Sequence, residues 1–217
     1  MKKTIFAAVL LATVLTVIPG CKKALSAQTP QTAQEFLQRG VDYYENGDYS
    51  RAIADYTQAI RLDPNNAQAY NYRGWAYFNN GDYDNTIADF TQLIQREPNN
   101  AQAYYNRGNV YIEKGDYDSA IADFTQAIQL DPNEGSAYND RGYSYIQKGD
   151  YDRAIADLTQ VIRLDPDIPN AYRHRAFAHM NKGNFTQARA DVNKALQLEP
   201  DYQDAQILSA ELRQLGY

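Results

Sequence analysis

Residues 101–134 read AQAYYNRGNVYIEKGDYDSAIADFTQAIQLDPNE, and this segment is the third of five tandem copies of a 34-residue unit that fill the chain from Ala33 to Tyr202. No insertion or deletion breaks their register, and the copies begin at Ala33, Ala67, Ala101, Gly135 and Pro169. A repeat of this length indicates stacked supersecondary units, because one unit cannot bury its apolar face without neighbours. The sequence therefore predicts one elongated domain whose core is shared between successive copies.

Each copy divides into two predicted helices that meet at a short polar turn. Glycine supplies the left-handed backbone that closes the first helix, and the following Asp or Asn can cap the free amides of the second. A proline shared by all copies ends the second helix, because proline lacks an amide donor and pushes the preceding residue out of helical geometry. The turns lie at Gly47-Asp48, Gly81-Asp82, Gly115-Asp116, Gly149-Asp150 and Gly183-Asn184, and the prolines are Pro64, Pro98, Pro132, Pro166 and Pro200. The chain is therefore predicted to be all-α, built from antiparallel helix pairs.

Small and aromatic residues recur at fixed offsets within the copies. In the third copy a large residue, a glycine, an aromatic, a small residue, an aromatic, a small residue and a proline fall at Tyr104, Gly108, Tyr111, Ala120, Phe124, Ala127 and Pro132. This pattern resembles the tetratricopeptide repeat. The first copy matches equally well, whereas Ala176 and Val192 replace the glycine and the second aromatic in the fifth. We interpret the aromatic stripe as core and not as a cofactor site, because small residues let two helices approach and aromatic rings fill the remaining space.

The resemblance implies a right-handed superhelical solenoid of five repeats, at residues 33–66, 67–100, 101–134, 135–168 and 169–202. A capping helix is predicted over residues 203–217, since repeat arrays need a terminal unit that covers their last apolar face. Its predicted apolar side consists of Ile207, Leu208, Leu212 and Leu215.

Every copy carries an arginine just before the small residue of its first helix and an aspartate sixteen residues later. The arginines are Arg39, Arg73, Arg107, Arg141 and Arg175, and the aspartates are Asp55, Asp89, Asp123, Asp157 and Asp191. Facing helices of one pair, or of adjacent pairs, could bring these charges together as a ladder of charge-assisted hydrogen bonds. We predict structural ion pairs that fix the register of the stacked helices. The alternative is an arginine row that binds anionic ligands.

In tetratricopeptide proteins the first helices line a concave surface, here called the groove, and offsets 2, 5, 9, 12 and 13 of each copy point into it. These offsets share one helical face. In this chain they are rich in amides, which can pair with a peptide backbone, and in aromatic rings, which can receive apolar side chains. The resemblance therefore implies a peptide-binding groove with the candidate residues Tyr44, Asn71, Trp75, Phe78, Tyr105, Asn109, Tyr143, Arg173 and Phe177.

Trp75 is the only tryptophan, and it lies at an offset where the core does not need one. We predict that it is a binding anchor. The alternative is a lining residue that packs on its neighbours. Family members that bind acidic chaperone tails use lysines at paired groove positions, and this chain does not supply them, so an acidic chaperone tail is not predicted as the partner.

The first 20 residues are predicted to be an export signal. Lys2 and Lys3 form a basic start, and Thr4 to Ile18 is an uncharged, mostly apolar run that is shorter than a bilayer span of about 20 residues. The following sequence, Ile18-Pro19-Gly20-Cys21, resembles the lipobox of bacterial lipoproteins, in which the cysteine is lipidated, although Pro19 departs from the usual pattern. Cleavage by the ordinary signal peptidase and an uncleaved N-terminal anchor are the alternatives.

If Cys21 is lipidated, residues 21–32 form the modified N-terminus and a polar tether. The predicted location is then outside the cytoplasm, at the cell membrane or the outer membrane of a bacterial envelope, with the lipid as the membrane anchor.

Composition and motifs argue against several classes of function. A formal net charge of −6 disfavours a nucleic-acid partner, whose binding requires clustered Lys and Arg. His174 and His179 are the only histidines and are five residues apart, so they do not share a helical face and no metal site is predicted. Nucleophile, phosphate-loop and dinucleotide motifs do not occur in the sequence. No enzymatic activity and no cofactor are predicted.

The sequence thus favours a non-enzymatic protein-protein interaction scaffold of the bacterial cell envelope, which binds a peptide or protein segment in its groove and acts in the assembly of an envelope complex. Two alternatives stay open. One is a structural solenoid that self-associates into a homo-oligomer, and the other is an accessory subunit of an envelope enzyme.

Overall fold

The structure of the protein is a computed structural model that describes residues 30–217. Residues 1–29, which carry the predicted export signal, Cys21 and most of the predicted tether, lie outside the described residues. The described part of the chain contains eleven α-helices and no strand, which confirms the all-α class. The helices are α1 (Ala33–Glu45), α2 (Tyr49–Leu62), α3 (Ala67–Asn79), α4 (Tyr83–Arg96), α5 (Ala101–Lys114), α6 (Tyr117–Leu130), α7 (Gly135–Gln147), α8 (Tyr151–Leu164), α9 (Pro169–Asn181), α10 (Phe185–Leu198) and α11 (Gln203–Gln214).

The polar turn inside each copy ends one helix and starts the next. Asp116 accepts a hydrogen bond from the backbone N–H of Ser119 at 3.1 Å and so caps α6, whereas the side chain of Asn184 makes no such bond at the start of α10. The turn glycines take the left-handed backbone, with φ between 75° and 79° at Gly47, Gly81, Gly115, Gly149 and Gly183. Only glycine adopts this conformation without strain, and for this reason each first helix ends where it does.

Consecutive helices contact one another along the whole array from α1 to α11. The first helices of neighbouring copies also touch, since α1 contacts α3, α5 contacts α7, α7 contacts α9, and α9 contacts α11. The first helices therefore lie side by side. Their shared face forms the floor of the groove.

The close approach of the two helices within a copy depends on glycine. A Cβ atom on Gly108 would lie 2.7 Å from Cε1 of the fully buried Phe124. In the fourth copy the partner is a smaller side chain, and a Cβ atom on Gly142 would lie 3.1 Å from Cγ of Leu158. The space at this position is therefore filled by the residue of the second helix.

In the fifth copy the same position is occupied by Ala176, which faces the still smaller Val192, and both side chains are completely buried. The methyl group of Ala176 occupies volume that an aromatic ring would otherwise fill. The two departures of this copy from the repeat pattern therefore compensate each other.

The N-terminal end of the array differs from the internal copies. Offsets 3 and 10 of a first helix pack on the preceding copy, and in the later copies and α11 they are small or apolar and buried, as at Ala69, Ala76, Ala103, Val110, Ala137, Ser144, Ala171, Ala178, Ala205 and Leu212. In the first copy these offsets carry Glu35 and Asp42, so this end is polar. Charged residues here oppose the addition of another unit to the array.

At the C-terminal end, α11 packs on α9 and α10 through Leu208 and Leu212. The prediction that Ile207 and Leu215 share this packed side was wrong, because their side chains are 59% and 56% exposed. Ile207 and Leu215 occupy offsets 5 and 13 counted from Gln203, which are groove offsets in the complete copies. The last helix therefore extends the groove with an apolar edge.

Candidate functional site

Hydrogen bonds join the predicted groove residues Tyr44 and Tyr105 to neighbouring first helices. The Nδ2 group of Asn79 donates to the Tyr44 hydroxyl oxygen at 2.7 Å and connects α3 with α1. The Tyr105 hydroxyl donates to Oδ2 of Asp140 at 2.9 Å and connects α5 with α7. The lining of the groove is thus held by side chains that also link one copy to the next.

Trp75 has two environments. Its ring meets Phe90 of the core edge-on at a centroid distance of 5.4 Å, and it meets Phe78 in the same way at 5.6 Å. Trp75 and Phe78 are nevertheless only half-buried, so part of each ring faces the groove. Trp75 therefore packs on its neighbours through two ring contacts, and its role as a binding anchor stays a prediction.

A pocket of about 230 Å³ lies between the start of α3 and the start of α5. Amide side chains dominate its lining, which includes Gln68, Asn71, Asn100, Gln102 and Asn106. Nε2 of Gln102 donates to Oδ1 of Asn106 at 2.7 Å, whereas Oδ1 of Asn71 is buried and accepts no hydrogen bond. The lining thus presents amide groups that can both donate and accept hydrogen bonds.

The remaining predicted groove residues differ in their surroundings. Phe177 is half-buried and packs on the cores of the fourth and fifth copies. Asn109 lies one helical turn beyond Tyr105 on α5 and is half-buried. Arg173 donates from Nη2 to Oδ2 of Asp204 at 2.5 Å and so joins α9 to α11. Its charge is neutralised within the chain and is not free for an anionic ligand.

Offset 6, which the sequence analysis did not include, forms the floor of the groove in the later copies. It carries Asn106, Asp140 and His174. Asp140 and His174 contact Tyr105 and Tyr143 of the preceding first helices, and Asn106 lines the pocket between α3 and α5. Burial raises the pKa of the Asp140 carboxyl. A polar residue at an offset surrounded by small and apolar residues that pack between copies could have identified this offset in the sequence.

His174 is 7% exposed, its ring lies 5.6 Å from that of Tyr143, and its Nδ1 has no hydrogen-bond partner. Burial, helped by the positive charge of Arg173 and opposed by Asp204, lowers its pKa from 6.5 to about 3. The folded protein thus holds the neutral imidazole. Protonation favours the unfolded chain, so stability that is present above pH 6.5 is lost as the pH falls from 6.5 towards 3.

We expect His174→Gln to reduce the dependence of the free energy of unfolding on pH below about pH 6.5. The free energy of unfolding of the wild type should fall more steeply than that of the variant, by about 1 kcal/mol per pH unit below the unfolded-state pKa. Urea denaturation at a series of pH values measures this difference. His179→Gln is the matched control, and because His179 is only half-buried its profile should stay closer to that of the wild type. Parallel profiles for wild type and His174→Gln would contradict the expectation.

The arginine and aspartate of each copy meet within that copy. Arg107 donates from Nε and Nη2 to the two carboxylate oxygens of Asp123, both at 2.7 Å, and from Nη1 to Oγ1 of Thr91 in the preceding copy at 2.8 Å. The same paired geometry recurs at Arg39–Asp55, Arg73–Asp89, Arg141–Asp157 and Arg175–Asp191. The hydrogen bond to Asp123 raises the pKa of Arg107. Because these guanidinium groups are already engaged, the geometry favours a structural role over binding of anionic ligands.

Within residues 30–217 no group of three or more His, Cys, Asp and Glu side chains is arranged to hold a metal ion. The helices of this region are also too short or too polar for any of them to cross a bilayer.

Stacked helix pairs whose first helices share one lined face define a helical repeat protein of the solenoid class. Tetratricopeptide repeat models match residues 40–81, 67–100, 101–134, 124–156 and 141–213. The chain belongs to the tetratricopeptide repeat family. Proteins of this fold are typically interaction scaffolds without enzymatic activity.

Solved structures share the same architecture. A crystal structure of MamA is 27% identical, covers 74% of this chain and 94% of its own, and superposes with a TM-score of 0.72. YrrB, described as a TPR protein with an unusual peptide-binding site, is 23% identical over 81% of this chain and 90% of its own, with a TM-score of 0.72. The first TPR domain of Spaghetti (RPAP3), solved with the HSP90 peptide SRMEEVD, is 25% identical over 53% of this chain and 91% of its own, with a TM-score of 0.52. A comparison with curated proteins gave no match.

Proposed function

We propose that the protein is a non-enzymatic interaction scaffold whose groove binds an extended segment of a partner protein. The observation that carries this proposal is the amide-lined pocket between α3 and α5, in which the buried Oδ1 of Asn71 has no donor. A peptide backbone alternates donors and acceptors and suits a lining of amides, which also do both. The RPAP3 domain, solved with a peptide, supports this use of the fold.

The chemistry of the groove determines which kind of peptide segment it favours. Trp75 follows Asn71 of the amide pocket by one helical turn on α3, and Trp75 and Phe78 offer half-buried rings to an apolar side chain. Tyr105 and Tyr143 continue the aromatic lining on α5 and α7. Two or three buried contacts of this kind are sufficient for micromolar affinity, or about −8 kcal/mol. The groove positions carry no lysine, so a segment with an apolar anchor is favoured over an acidic tail such as SRMEEVD.

The proposal is tested by blocking the groove without disturbing the core. Gln68 and Gln102 are exposed and line the amide pocket, so Gln68→Arg with Gln102→Arg should fill it with bulky charged side chains. We expect capture of a partner from detergent-solubilised membranes to fall by at least about tenfold, because segments that fill a central pocket contribute most of the binding energy. Mass spectrometry of the captured proteins measures the loss. Trp75→Ala is less suitable, because Trp75 also contacts Phe90.

The matched control is Gln95→Arg with Gln129→Arg, which adds the same charge at exposed positions of α4 and α6. This variant should retain the partner. Recovery of only the chain itself, unchanged by the groove variant, would contradict the proposal and favour a self-associating solenoid, whose solution mass would rise with concentration. Loss of a bound enzyme in the groove variant would instead identify the protein as an accessory subunit of that enzyme.

We also propose that the chain is exported and anchored to a bacterial envelope membrane through lipid on Cys21. The support is the sequence alone: a basic start and an apolar run precede the only cysteine of the chain. We expect the full-length protein to partition with membranes and Cys21→Ser to appear in the soluble fraction, since one apolar run without lipid gives no durable anchor once it is cleaved. Equal membrane retention of both proteins would favour an uncleaved N-terminal anchor instead.

A further inference from the structure

Asp140 is a carboxylate on the groove floor, between α5 and α7. It accepts hydrogen bonds from the Tyr105 hydroxyl at 2.9 Å and from Nδ2 of Asn139 at 3.0 Å, and both donors are neutral. The charged group that acts on it is Glu134, a second carboxylate at the N-cap of α7. In the part of the chain that the structure describes, the ion pairs involve other residues, and none includes Asp140.

A half-buried carboxylate without a counter-ion costs free energy of folding, and burial accordingly raises the pKa of Asp140. The fold itself does not need the charge. An asparagine at this position would keep both contacts, because its amide could donate to the Tyr105 oxygen and its carbonyl could accept from Asn139. The negative charge therefore requires an explanation other than stability.

Asn139 adds a second acceptor beside Asp140. Its Nδ2 donates to the Asp140 carboxylate, which fixes the orientation of the amide, and its Oδ1 is then buried without any donor. Two acceptors on adjacent residues thus lack partners of the right kind. Acceptors of this kind pair best with a group that has several N–H donors and a positive charge, and in proteins this description fits an ammonium or a guanidinium.

The surroundings support a cation at this place. Tyr105 bonds to Asp140 from α5, and Tyr143 lies three residues beyond Asp140 on the same side of α7. Such rings can cover the aliphatic stem of a lysine or arginine, and their faces attract the charged end. Arg173, the arginine among the predicted groove residues, is already bound to Asp204. The charge at the centre of the groove is therefore negative and without a counter-ion.

We propose that Asp140, with Oδ1 of Asn139, receives the lysine or arginine side chain of the segment bound in the groove. This inference rests on the proposed function and specifies its ligand: a segment with a basic residue that is held on α7, next to apolar side chains that contact the aromatic lining. The alternative source of such a charge, a free polyamine, would bind without the flanking peptide.

Selection from a displayed library of random short peptides tests the inference on the full-length chain in detergent. Peptides enriched by the wild type should share a lysine or arginine at one position. Asp140→Asn should keep the apolar part of the motif and lose the basic position. Glu113→Gln removes the same charge from an exposed groove position and should keep the whole motif.

A synthetic peptide from the wild-type selection then gives the magnitude. Replacing its basic residue by norleucine or citrulline should weaken binding to the wild type by at least about tenfold, and binding to Asp140→Asn by less than about twofold. The melting temperature of Asp140→Asn at pH 7 should equal or exceed that of the wild type, because no contact is lost.

The outcomes separate the two proposals. Enriched peptides without a basic position would overturn this inference and leave the peptide-binding function intact. A wild type that enriches no peptide would overturn both. A lower melting temperature for Asp140→Asn, or loss of the entire motif in that variant, would assign Asp140 a structural role and overturn the inference. Direct binding of spermidine to a wild type that enriches no peptide, lost in Asp140→Asn, would assign the site to a free polyamine and overturn the inference.

Discussion

Asp123→Ala is expected to lower the free energy of unfolding by about 3–5 kcal/mol, because it leaves the Arg107 guanidinium without its counter-ion in a largely buried place. Arg107 and Asp123 are 17% and 8% exposed, and two hydrogen bonds of 2.7 Å join them. Arg107 also holds Thr91 of the preceding copy, so the loss affects the helix pair and its junction with the next pair. Urea denaturation, read from the midpoint at an unchanged slope, measures the effect.

The first copy provides a graded control. Arg39 is more exposed, at 29%, and no threonine of a preceding copy binds its third nitrogen, so Asp55→Ala should cost clearly less than Asp123→Ala. A second control removes the charge of both partners. Arg107→Met with Asp123→Leu should be more stable than Asp123→Ala alone, since no unpaired charge stays behind. Equal losses for Asp55→Ala and Asp123→Ala would contradict the assignment of the ladder as a buried structural element.

The fold class could be predicted from the sequence because the same local signals for helix ends occur in all five copies. A Gly-Asp or Gly-Asn turn and a terminal proline recur in register, and each is a strong local determinant of where a helix ends. The structure and the family comparison confirm the all-α repeat fold. The groove residues were predicted from the offsets that point into the groove in the family. Their role in binding stays a prediction.

Side-chain contacts between neighbouring copies could not be predicted from the sequence. Asp140 bonds to Tyr105, which lies 35 residues earlier, so the pair joins offset 6 of one copy to offset 5 of another. A pattern read within single copies does not connect such positions. Trp75 is a similar case, because its contact with Phe90 depends on the rotamers of both rings. The prediction for Ile207 was wrong because α11 is not a separate cap but continues the offsets of the first helices.

The compensation between Ala176 and Val192 is visible only once the contact between glycine and the second-helix residue is known. Three copies pair glycine with an aromatic ring, the fourth pairs Gly142 with Leu158, and the fifth pairs alanine with valine. The series indicates that the two positions share one fixed volume. The effect on stability of a substitution at one position should therefore depend strongly on the residue at the other.

Gly108→Ala is expected to lower the free energy of unfolding of the wild type and to raise that of the variant Phe124→Val. In the wild type the new methyl group would lie 2.7 Å from a ring that is buried on all sides. Overpacking of about 3 kcal/mol outweighs the roughly 1 kcal/mol that alanine gains over glycine in a helix, so the protein should lose about 2 kcal/mol. Phe124→Val alone should cost about 3 kcal/mol through the cavity that it leaves.

The double variant Gly108→Ala with Phe124→Val reproduces the arrangement of the fifth copy and should be more stable than Phe124→Val alone, because the added methyl group fills part of the cavity. The interaction energy measured by the cycle should be about 2–3 kcal/mol. Gly142→Ala is the control, since its Cβ would lie 3.1 Å from Leu158, whose branched side chain can adjust, and its stability should change little. Additive losses in the double variant would show that the two positions do not share one volume, and the departures of the fifth copy would then have to be accommodated elsewhere in its packing.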